Sequence, residues 1–166
     1  MTTMEQDQRT ERGDRPPAEG WHVLTFALCG GEYAIDLRHV QEVKCWSAIT
    51  PIPNAPPHIK GVMNLRGTII PIIDLRTRFA MPETEYTRSA VIIMVKVDGK
   101  VQGLVVDAVS DVLNLGGTNV HLPPDLDGVA SRFITGMVQR EESLVTVLDL
   151  AAVLSDDGAR AAAGQR

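Results

Sequence analysis

The chain repeats itself. Residues 26–43 (FALCGGEYAIDLRHVQEV) align without a gap to residues 95–112 (VKVDGKVQGLVVDAVSDV), setting Gly30 on Gly99, Ile35 on Leu104, Val40 on Val109, Glu42 on Asp111 and Val43 on Val112. Residues 59–75 (IKGVMNLRGTIIPIIDL) align, again gapless, to 134–150 (ITGMVQREESLVTVLDL), matching Ile59 with Ile134, Gly61 with Gly136 and Asp74 with Asp149. The same blocks in the same order in both halves predict a tandem of two similar units. They direct the search for function to surfaces and to a groove between the units.

Within each unit the dominant signal is β. Residues 22–28 (HVLTFAL) run into Cys29-Gly30-Gly31 and then into 32–37; residues 91–97 (VIIMVKV), Asp98-Gly99 and 101–106 repeat the pattern. Asp-Gly between apolar runs is a strong hairpin signal, because both central residues of the turn need positive φ. An alternating segment follows each hairpin, then a Pro-rich connection that precludes a helix. The stretch between the matched blocks is 15 residues in the first half (44–58) and 21 in the second (113–133). A second hairpin comes next, turning at Arg66-Gly67 or within 140–143, with Pro71 expected at an edge or bulge. Short helical stretches are expected at 74–79 and 149–154. The fold class read from this is mainly all-β: two small barrels of about five strands each. A unit of about 60 residues buries only ~60% of its unfolded surface, so the two are expected to dock and share a core. The expected organisation is a tail at 1–20, a first barrel at 21–82, a second at 83–154 and a tail at 155–166, with residues 80–89 as the linker.

Of the 166 residues 44% are hydrophobic and 22% charged, the balance of a soluble compact protein. The polar start indicates no signal or transit peptide, and the apolar run from Ile69 to Ile73 is too short to span a bilayer, so a cytoplasmic protein is expected. Cys29 and Cys45 form no framework of spacings and read as reduced side chains. A net charge of −5 and seven aromatics (two Trp, two Tyr, three Phe) argue against a nucleic-acid-binding barrel, the reading such small barrels otherwise invite.

Catalytic chemistry leaves little trace. His22, His39, His58 and His121 lack metal-ligand spacing, and no nucleophile elbow or phosphate loop is present. No cofactor, no metal and no catalytic residue is assigned; a small enzyme with its site in the groove is the rival reading. Asp74 and Asp149, each before a short helical run, read as N-caps. Arg66 admits two readings, a solvated charge at a turn or a guanidinium held on a rigid tip where it can fork onto a partner's carboxylate. For Glu42 and Val40 the plain surface strand is the favoured reading.

The run IKGVMNLRGTIIPIIDL, preceded by YAIDLRHVQEV and followed by GLVVDAVSDVL and ITG, resembles the CheW family of bacterial chemotaxis coupling proteins over about residues 21–154. The resemblance implies two five-stranded SH3-like barrels and a non-enzymatic adaptor bridging the histidine kinase CheA to the cytoplasmic tips of methyl-accepting chemoreceptors, which would recruit it to the inner face of the membrane. It implies a receptor-facing surface at Leu37, Val40, Glu42, Gly61, Asn64 and Arg66, and a kinase-facing one at Gly103, Val109, Val112 and Gly136. Leu37 and Val40 would take the apolar ridge of a receptor helix, Glu42 and Arg66 would fix its register, and Gly61 would let it approach closely. The same adaptor in a pathway controlling pili, development or second messengers is the alternative. Cys45 and Trp46 carry no reading beyond local packing.

Overall fold

The fold is that of a computed structural model, described for residues 21–82, 86, 88–116, 120–121 and 133–155. The expected N-terminal tail, the expected C-terminal tail beyond Ser155 and most of the second Pro-rich connection lie outside the described residues.

Among the described residues the strands are β1 (His22–Leu28), β2 (Gly31–Asp36), β3 (Val40–Cys45), β4 (Ile59–Leu65), β5 (Thr68–Asp74), β6 (Val91–Val97), β7 (Lys100–Val106), β8 (Ala108–Asn114), β9 (Ile134–Arg140) and β10 (Ser143–Leu148). A 3-10 turn, Leu37–His39, separates β2 from β3, and helical turns follow β5 (Leu75–Arg78) and β10 (Leu150–Val153). The hairpins form where the turn residues predict them. Cys29-Gly30 (φ +51° and +84°), Arg66-Gly67 (+51° and +89°) and Asp98-Gly99 (+55° and +80°) each supply two left-handed residues, the pair that a two-residue turn between twisted strands requires. Asp74 and Asp149 cap their helical turns, accepting the N–H of Arg76 at 3.0 Å and of Ala152 at 3.3 Å.

Pairing between hairpins departs from the sequential division. The two sheets run β8-β1-β2-β10-β9 and β3-β6-β7-β5-β4, so each combines the opening hairpin of one repeat with the other three strands of its partner repeat. The boundary expected near residue 82 separates repeats in sequence, not sheets. The exchange is matched to the residue: β10 lies parallel to β2 with Val147 on Ala34, and β5 lies parallel to β7 with Ile72 on Gly103. The bulge between Thr25 and Phe26, where β8 meets β1, recurs between Val40 and Glu42, where β3 meets β6. Turn chemistry and alternation specify a hairpin but not which neighbouring hairpin it pairs with. Pro71 belongs to a strand interior to its sheet, and it sits just before the parallel ladder that starts at Ile72.

The apolar core has three parts. Trp21, Val23, Ala34, Val138, Val145 and Val147 fill the first barrel; Met63, Ile70, Ile72, Ile92, Met94 and Val105 fill the second. Between them lies a shared core holding Phe26, Leu28, Ile93, Val95, Leu104 and Leu150. Along β6, Ile92 and Met94 point into a barrel while Ile93 and Val95 point into the seam, which explains the unbroken apolar run of a strand buried on both faces. Arg78 fastens the seam: its Nε donates to the carbonyl of Val153 at 3.0 Å, its Nη2 donates to that of Ser155 at 3.2 Å, and its guanidinium lies 5.0 Å above the ring of Phe133. A side chain from one repeat thus satisfies carbonyls at the end of the other repeat's helical turn.

Candidate functional site

Closure of each barrel brings its two edge strands together. In the second sheet the edges are β3 and β4, and they meet through Glu42 on β3 and Arg66 at the β4–β5 tip, paired at 2.5 Å. The tip is stiffened by Asn64, whose Oδ1 accepts the N–H of Gly67 at 2.9 Å. The hydrogen bond from Arg66 holds the Glu42 carboxyl below the usual carboxylate range. The Arg66 side chain remains 70% exposed, most of its guanidinium open to solvent. Arg66 is thus a surface charge on a left-handed tip, paired within the chain to Glu42.

Leu37 and Val40 sit at the crossover from β2 to β3, half-buried against the shared core. Their backbone is fixed by Asp36, 1% exposed. Its carboxylate accepts the Arg38 N–H at 2.9 Å, Arg38 Nε at 3.0 Å, Arg38 Nη2 at 2.6 Å and the Trp21 indole N–H at 3.2 Å. Burial alone would raise this carboxyl, but the Arg38 and Trp21 donors outweigh it and hold it below the usual range.

The glycines assigned to partner contact serve packing instead. A Cβ on Gly61 would lie 2.3 Å from the carbonyl oxygen of Thr50, which pairs with Val62 through two backbone hydrogen bonds of 2.9 Å. The close approach that Gly61 permits is therefore taken by the chain's own Pro-rich connection, not left for a receptor helix. Gly136 repeats the arrangement, with Val120 Cγ1 at 2.5 Å and the carbonyl oxygen of His121 at 3.0 Å. Gly103 faces the interior of the second barrel, where a Cβ would meet Ile72 at 2.6 Å and Ile92 at 2.9 Å. It offers no surface to a kinase. Val109 is half-buried against the shared core, whereas Val112, on the β8 edge, is 47% exposed.

Sequence reasoning missed a second polar assembly. Arg76, 4% exposed, pairs with Asp107 at the β7–β8 crossover, and its guanidinium stacks 4.0 Å above the ring of Tyr86. The Tyr86 hydroxyl donates to Asp74 at 2.6 Å, and burial together with that carboxylate raises its pKa well above the ordinary tyrosine value. Trp46 lies against Tyr86 at 5.6 Å between ring centroids, with Lys60 Nζ 5.7 Å from the indole. Arg76 and Asp107 are 31 positions apart in no motif, so nothing in the sequence signals the pair. Cys29 and Cys45 are free and exposed. Among the described residues no group of three or more His, Cys, Asp or Glu is placed to hold a metal.

Comparison with known proteins places this architecture. The family model described as the CheW-like domain matches residues 22–158. A chemotaxis protein CheW of Klebsiella aerogenes is 39% identical over 83% of this chain and 84% of its own length. The crystal structure of the scaffolding protein TtCheW from Thermoanaerobacter tengcongensis is similar with a TM-score of 0.77 at 30% identity, covering 87% of this chain and 93% of that one. A protein PilI of Pseudomonas aeruginosa is 26% identical over 82% of this chain.

Proposed function

Since the chain belongs to the CheW-like domain family, we propose that it is a chemotaxis adaptor coupling the histidine kinase CheA to the cytoplasmic tips of methyl-accepting chemoreceptors. The observation that carries this reading is the family match along nearly the whole of a body whose two barrels share one core. Such a body suits a scaffold, because partners docked on separate faces are held at a fixed relative orientation. Leu37, Val40, Glu42, Asn64 and Arg66 form the receptor face: half-buried apolar side chains beside a charged pair on a rigid tip fit the ridge and flank of a helical hairpin. Val112 and its neighbour Val109 on β8 belong to the kinase face, while Gly61, Gly103 and Gly136 support the barrels from within. The adaptor transmits receptor state through geometry, biasing the kinase between two states without chemistry of its own. Among the described residues no helix is long and apolar enough to cross a membrane; the protein reaches the inner face of the membrane through receptors.

The test is kinase autophosphorylation with receptor-bearing membranes, with and without this protein. Strong activation that needs all three components, and that Arg66→Glu abolishes while the protein stays folded, is the expected result. A folded wild-type protein that leaves the kinase unbound and unresponsive refutes the reading. The similarity to PilI favours one second reading, the same adaptor role in a chemosensory pathway that serves pili; the cognate kinase and receptors used in the assay decide between them.

A further inference from the structure

Asp36 stands at the point where the chain leaves the first barrel for the second. It ends β2, and the 3-10 turn Leu37–His39 that follows leads directly into β3 of the other sheet. A three-residue connection between two bodies has few internal restraints of its own; here the Val40 N–H closes the turn onto the Leu37 carbonyl, and three sets of donors converge on one carboxylate. The Asp36 side chain caps the turn by accepting the Arg38 N–H, grips the Arg38 guanidinium through Nε and Nη2, and reaches back to the indole N–H of Trp21 in the first barrel's core. Cap, guanidinium and indole are therefore locked into one geometry. The Arg38 N–H reaches the carboxylate only with the backbone between Leu37 and Val40 held in its turn.

We infer that Asp36 is a positioning residue for the partner face: it touches no partner, but acts through the turn to present Leu37, Val40 and Glu42 at the angle at which a receptor helix meets them. This rests on the receptor-face reading given above. The interaction is paid for by pre-organisation, since a turn already fixed loses no entropy when a helix docks on it. Asparagine in place of Asp36 keeps the shape but loses the charge, and its amide places N–H groups against N–H groups of Arg38 or Trp21.

The experiment measures three quantities for full-length Asp36→Asn: affinity for a soluble cytoplasmic fragment of a cognate chemoreceptor, affinity for the kinase's regulatory domain, and amide hydrogen exchange. The expected result is receptor affinity lowered about tenfold, the equivalent of losing a charge-assisted hydrogen bond. Exchange should rise first at residues 37–40, with kinase affinity at wild-type level and β6 and β10 remaining protected. Unchanged receptor affinity despite faster exchange at 37–40 overturns the inference. So does loss of protection throughout both barrels, which makes Asp36 a residue of the fold alone. Arg38→Met guards against a variant that fails to fold, because the Arg38 side chain is 61% exposed. It should weaken receptor binding in the same direction and to a lesser degree; wild-type affinity in that variant also overturns the inference. Arg66→Glu, on the exposed tip of the face itself, tests the underlying reading separately. If it leaves receptor affinity intact the receptor face lies elsewhere, whereas if it abolishes binding and Asp36→Asn does not, only the positioning role fails.

Discussion

At the β4–β5 tip the second barrel closes through one exposed ion pair, Glu42–Arg66, whereas at the corresponding tip of the first barrel Arg140 bridges two carboxylates, Asp111 on β8 at 3.3 Å and Glu32 on β2 at 3.0 Å. Asp111 is the repeat counterpart of Glu42, but the arginine has shifted: Glu141 occupies the place of Arg66, and Arg140 that of Leu65. The Arg140 side chain is 33% exposed against 70% for Arg66. Two barrels with one closure problem have thus solved it differently, one by tying its arginine to two of its own strands and the other by leaving most of a guanidinium exposed. An exposed pair adds little to stability, so most of the Arg66 guanidinium stays open to solvent at small structural cost.

The largest effect that sharpens this contrast lies beneath the tips. Gly61→Ala sets a methyl group 2.3 Å from the Thr50 carbonyl oxygen at a φ of +156°, while Gly136→Ala meets first the movable side chain of Val120 and the His121 carbonyl oxygen only at 3.0 Å. Urea denaturation should show a loss of about 3 kcal/mol for Gly61→Ala and about 1 kcal/mol for Gly136→Ala; equal losses would show that the two connections are equally rigid. Next is Arg140→Ala, which removes bonds to two strands and should cost about 1 kcal/mol, less at high salt. If it costs nothing, the first barrel closes by backbone pairing alone. Acidification comes third. The Asp36 carboxyl titrates lower folded than unfolded, so its contribution is complete above the unfolded value of about 4 and disappears as pH falls through the folded one. The difference in melting temperature between wild type and Asp36→Asn should therefore shrink below about pH 4, and a constant gap down to pH values well beneath that would exclude titration of Asp36. Smallest is Arg66→Ala, for which the melting temperature should stay close to wild type while receptor coupling falls. A large drop would place Arg66 with Arg140 as a structural closure.

What the sequence made legible was local. Cys29-Gly30, Arg66-Gly67 and Asp98-Gly99 announce their turns because only left-handed residues fit them, and Asp74 and Asp149 announce their caps. Glu42 and Arg66 were both legible as candidates, yet their pairing was not. It depends on β3 and β4 being opposite edges of one sheet, a fact of topology rather than of residue pattern. The same blindness hid the Arg78 bonds to Val153 and Ser155, which join positions 75 and 77 residues apart. Glycine was legible as a requirement but not as a purpose: Gly61 announces close approach, and only the structure names Thr50 as what approaches.

The exchange of strands has a consequence for how such a chain holds together. Neither repeat owns a complete sheet, and the parallel ladders that join one repeat to the other share a register, with Val147 on Ala34 in one sheet and its counterpart Ile72 on Gly103 in the other. Two identical copies of a single repeat, offering the same registers, would complete both barrels as a dimer. Linking them end to end replaces that second-order association with a fixed effective concentration, so the assembled body no longer depends on how much of it the cell contains.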